Sequence, residues 1–68
     1  MQAGIRLKNG NSYVVKDLKV IKILNLKTDF ISEVTEFTSF FISPGSYIFI
    51  GTPTIAVQGD DILSVEFG

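Results

Sequence analysis

The basic side chains are the residues whose placement could do chemistry. Arg6, Lys8, Lys16, Lys19, Lys22 and Lys27 all fall in the first 27 positions, where Asp17 is the only acid, giving that stretch a net charge of +5. Residues 28–68 carry six acids and no base, which brings the 68-residue chain to −1. A row of lysines could meet a phosphate backbone, with an aromatic ring among them to stack a base; such binding draws its affinity from released counterions. Arg6, Lys8, Tyr13, Lys16, Lys19 and Lys22 are therefore the candidate anion or nucleic-acid contacts. In the other reading both halves fold together, so that the two signs lie side by side or pair between subunits. For an acidic chain with one arginine, the second reading is preferred.

Other chemistry is thinly represented. The chain has no histidine, cysteine or tryptophan, which removes disulfides, thiolate zinc sites, cysteine nucleophiles and every histidine-based triad. Asp60-Asp61 and the pair Glu33 and Glu36 are the clustered carboxylates. Carboxylates that bind a cation or transfer protons must converge in a cleft, and Asp60-Asp61 directly after Gly59 reads better as turn chemistry. Serines and threonines are plentiful, but only lysine or a carboxylate could activate one. Neither G-x-G-x-x-G nor P-loop spacing occurs. The expectation is a non-enzymatic protein without metal or cofactor.

Size then bounds the scaffold. A chain of 68 residues is one domain, 1–68, and a domain this small is marginal because it buries a low fraction of its surface. Six Phe, nine Ile, six Val and five Leu are more large apolar groups than such a domain readily hides. Self-association would cover the remainder, so the expected partner is a second copy or another protein. Phe37, Phe40, Phe41, Tyr47 and Phe49 form the aromatic group assigned to core or interface, and they are the candidate interface residues.

Val, Ile and Thr total 20 residues against two Ala, a balance that favours strands. Ala3 to Lys8 alternates, Asn9-Gly10 is a hairpin signal, and a second strand runs from about Asn11 to Lys16. A two-residue turn pairs Leu7 with Ser12 and Ile5 with Val14. A three-residue turn that includes Asn11 pairs Leu7 with Tyr13 and Ile5 with Val15, and this register is preferred because it gathers four apolar residues on one face. Leu18 to Leu26 reads as a strand with Leu18, Val20, Leu24 and Leu26 on one side. Phe30, Val34, Phe37 and Phe41 have helical spacing within a segment rich in strand formers, so 29–41 is either a short helix or a bent strand. Strands follow at Ser46–Ile50, Thr54–Gln58 and Ile62–Phe67, with turns at Gly51-Thr52-Pro53 and Gly59-Asp60. Strands of this length and spacing predict a mainly β domain, a small SH3-like or Sm-like barrel of five to six short strands, with or without a short helix around 29–41.

Two seven-residue stretches echo one another, Asp17 to Ile23 and Asp61 to Phe67; similar turn-to-strand geometry accounts for them as well as duplication does. Leu7-Lys8-Asn9-Gly10, with Val57-Gln58-Gly59-Asp60-Asp61-Ile62-Leu63-Ser64-Val65, resembles the two signature regions of Sm-like proteins, which form RNA-binding rings. Gln58 stands where that family has a basic residue before the glycine, and no RNA-contacting residue is carried over. The uncharged stretch Phe37–Gly59 is broken by two prolines and three glycines and reads as strands and turns, not as a membrane span. The N-terminal Met1-Gln2-Ala3-Gly4 runs into charged residues without an apolar stretch, so no secretory signal is read. A cytoplasmic location is expected. The function expected is that of a non-enzymatic interaction or assembly module that self-associates; the alternative is a small nucleic-acid-binding protein.

Overall fold

Strand β1 (Ala3–Leu7) and the start of β2 (Ser12–Leu24) form the hairpin that Asn9-Gly10 announces, with a three-residue loop. The Gly10 amide donates to the Leu7 carbonyl at 3.1 Å, and the Leu7 amide to the Asn11 carbonyl at 2.8 Å. With Gly10 at φ +96°, this is a type I turn followed by a left-handed glycine bulge. The Asn9 side-chain oxygen accepts from the Asn11 amide at 2.9 Å and holds the turn. The register differs from both expected ones: Ile5 lies opposite Tyr13, and Ala3 opposite Val15. The loop is Lys8-Asn9-Gly10, one residue earlier than the preferred reading placed it. The face parity of that reading survives, because moving a three-residue loop by one position shifts pairing by two residues.

The computed structural model describes residues 1–25, 31–37, 40 and 42–68. The remaining strands are β3 (Ile31–Val34), β4 (Ser46–Thr52), β5 (Ile55–Gln58) and β6 (Ile62–Phe67), with a 3₁₀ turn at Gly59–Asp61. All pairings are antiparallel, in the order β5-β4-β2-β1-β6, and β3 adds to the second half of β2. The domain is mainly β, and the sheet does not close into a barrel. Ile31–Val34 is a strand, so the helical spacing across 29–41 yields there to the strand formers. Phe30 and Phe41, the ends of that pattern, lie outside the described residues.

The two expected strands on either side of Asp17 are a single strand of 13 residues. It bends where Lys16 pairs with Thr52 and Val20 with Ile50, so that four steps along β2 match two along β4. Asp17 occupies the left-handed region at φ +53°, which a short polar side chain tolerates better than most. Gly51 lets β4 approach this bend, since a Cβ there would stand 2.5 Å from the Lys16 carbonyl oxygen. Below the bend, β1, β2 and β6 form one half-sheet; above it, β2, β3, β4 and β5 form the other.

The inner faces of the halves enclose Ala3, Ile5, Val15, Leu18, Ile21, Tyr47, Phe49 and Ile62. Phe37, stacked on Phe67 at 5.0 Å, and Phe40, edge-on to Tyr47 at 5.9 Å and to Phe67 at 5.6 Å, pack against this core. Gln2 and Gly68 exchange backbone hydrogen bonds at 2.9 Å in both directions, tying the two ends of the chain together. Among the described residues, no helix is long and apolar enough to cross a membrane.

Candidate interaction surface

Alternation sends every second side chain of the upper half-sheet away from the core. Strand pairing sets these outward residues in three rows. Val20 stands beside Ile50. Glu33, Lys22, Ile48 and Ala56 follow across the four strands, then Ile31, Leu24, Ser46 and Gln58. Five are large aliphatics. Ile31 is 66% and Ile48 37% exposed, while Val20, Leu24 and Ile50 are half-buried. None of the five belongs to the core cluster or packs against it.

The polar members of this face are few and ordered. Gln58 donates to the Ser46 hydroxyl at 3.1 Å across β4 and β5. Lys22 and Glu33 are direct cross-strand neighbours of opposite charge. No ion pair joins charged side chains among the described residues, so these two charges remain open to a further partner. Single surface aliphatics are ordinary; an adjoining set rimmed by polar groups marks a contact surface.

The expected interface residues lie elsewhere. Tyr47 and Phe49 are fully buried within the single chain, in the core. They alternate inward on β4, opposite Ile23 and Ile21, while Ile48 and Ile50 between them point outward. Phe37 and Phe40 are half-buried rings that cover one end of the core. Phe41 lies outside the described residues.

The candidate anion contacts are dispersed. Arg6 is on the outer side of the lower half-sheet, opposite Ser12 and Ser64, and Lys8 is in the hairpin loop. Lys16 and Lys19 flank the bend, and Lys22 is in the middle row of the upper face. Tyr13 has the inward parity of Ile5 and Val15 and is 39% exposed, so it does not lie on an outer face as Arg6 and Lys22 each do. Tyr13 instead lines an open groove of about 540 Å³ with Leu7, Ile55, Val57 and Asp61, beside the unpaired edge of β5.

Among the described residues the two carboxylate pairs sit on separate elements. Glu33 is on β3 and Glu36 in the segment after it, while Asp60 and Asp61 form the 3₁₀ turn, where the Asp61 carbonyl accepts from the Lys8 amide at 2.9 Å. Among the described residues no group of three potential metal ligands occurs. No protein-family model, curated protein or solved structure matches this chain.

The outward aliphatics carried a signal in the sequence. Val20-Ile21-Lys22-Ile23-Leu24 and Tyr47-Ile48-Phe49-Ile50 are nearly continuous apolar runs, the pattern of strands covered on both faces. Among the described residues the core packs against only one of these faces.

Proposed function

We propose that this chain is a non-enzymatic assembly module that self-associates, built on an SH3-like or Sm-like β scaffold. The scaffold reading rests on the long bent strand shared by both half-sheets and on the 3₁₀ turn that leads into the last strand. The functional reading rests on one observation, the outward aliphatic set Val20, Leu24, Ile31, Ile48 and Ile50, which has no place in the core. Burying aliphatic surface yields roughly 25 cal/mol per Å², enough for a face of this kind to drive association. Charged neighbours then set orientation more than affinity.

Size-exclusion chromatography with light scattering, recording absorbance at 260 and 280 nm, tests the reading. Two tyrosines and no tryptophan make the protein a weak absorber, so bound nucleic acid would be conspicuous. The expected result is a clean, defined oligomer. A monomer at all accessible concentrations would overturn self-association. A high 260/280 ratio that collapses in salt would replace it with phosphate binding by the dispersed lysines.

A further inference from the structure

We propose that the occupant of the upper outer face is a second copy of this chain, docked about a two-fold axis that runs along the strands between β2 and β3. The inference rests on the self-association reading above. Lys22 and Glu33 occupy one row on adjacent strands, with opposite charge and no ion-pair partner among the described residues. A two-fold axis between their strands turns β3 of one copy over β2 of the other and keeps each row in place. Lys22 then faces the partner's Glu33, and Glu33 the partner's Lys22, so the charge pattern complements itself twice. The same rotation sets Ile31, the most exposed residue of the face, over the partner's Leu24, again twice. Two features of the face, its charges and its most exposed aliphatic, are thus satisfied by one symmetry operation, which overlaps the β2–β3 part of the face and leaves Ile48 and Ile50 on β4 at its margin.

Two other two-fold placements fail the charge condition. An axis perpendicular to the strands through the middle row sets Lys22 on Lys22 and Glu33 on Glu33. An axis between β2 and β4 sets Lys22 over the partner's Ile48 and Glu33 over Ala56. Facing sheets about 10 Å apart leave room for the side chains to meet. Like charges brought together there oppose binding strongly, so the two pairs select orientation.

The test uses Lys22→Glu, Glu33→Lys and an equimolar mixture of the two. Each variant alone faces like with like at both pairs and should dimerise roughly a hundredfold more weakly than the wild type. The mixture presents two acidic residues to two basic ones and should recover the dimer mass. A pair that acts only within one copy cannot be restored by mixing, which separates the docking role from a merely structural one. Far-UV circular dichroism checks that both variants are folded. A dimeric wild type whose single variants stay dimeric, or whose mixture stays monomeric, would overturn this geometry and leave self-association standing. A monomeric wild type would overturn both.

Discussion

Alanine at Gly51 tests whether the bend in β2 depends on close backbone approach. The added Cβ would stand 2.5 Å from the Lys16 carbonyl oxygen, 2.5 Å from Val15 Cγ1 and 3.3 Å from the Asp17 carbonyl oxygen. Two of these obstacles are backbone atoms in a strand that pairs with both half-sheets, so no rotamer change relieves them. Overpacking costs about 1–3 kcal/mol, and backbone obstacles put Gly51→Ala at the upper end, about 3 kcal/mol. A chain of this size has roughly 3–10 kcal/mol of total stability, so the loss is a large share. At ~4–8 °C per kcal/mol, Tm should fall by roughly 12–24 °C. Gly4→Ala is the control, because its nearest neighbour, the Glu66 carbonyl oxygen, is 3.9 Å away. It should change stability by no more than about 0.5 kcal/mol, the usual range for an uncrowded surface site. Urea and thermal melts followed by circular dichroism, at one protein concentration because association raises Tm, would measure both. A Gly51→Ala protein within about 0.5 kcal/mol of wild type would refute the pinch.

At Asp17, φ +53° makes backbone conformation the governing factor. Asp17→Val should lose about 2 kcal/mol or more, while Asp17→Gly should match the wild type or gain up to about 1 kcal/mol; equal losses in denaturant melts would instead implicate the carboxylate. Tyr47 is buried with its hydroxyl accepting from the Ser43 amide at 2.7 Å. Tyr47→Phe keeps the ring and should cost about 1 kcal/mol, with faster hydrogen exchange at the Ser43 amide. Unchanged exchange would show that this bond does not hold the segment.

Strand content, the Asn9-Gly10 turn and the C-terminal strands were legible in the sequence, because each depends on local sterics or on residue type alone. The extent of β2 was less legible. Asp17 reads as a break between strands, and only pairing with β4 shows that the chain bends there and continues. The face expected from Leu18, Val20, Leu24 and Leu26 is mixed for the same reason. Two extra residues at the bend keep the parity the same on either side of it; Leu18, within the bend, turns inside while Val20 and Leu24 face outward beside Ile50 and Ser46, and Leu26 lies outside the described residues. Composition carries no sign of which side of β4 a ring takes, so the burial of Tyr47 and Phe49 follows only from the strand pairing.

The sequence by itself determined a small mainly β chain, its two charge halves, and an apolar content beyond what the core of one copy absorbs. The tertiary structure decided which residues are left over. In Val20–Leu24 and Tyr47–Ile50 both parities are apolar, so no period in the sequence distinguishes inside from outside. Ile21, Ile23, Tyr47 and Phe49 point inward because the bend at Asp17 and the close approach at Gly51 fold the upper half-sheet over Ile5 and Val15. That choice leaves Val20, Leu24, Ile48 and Ile50 on the outside, with Lys22 and Glu33 side by side among them. Their row exists only through the pairing of β2 with β3, a contact that local sequence does not encode.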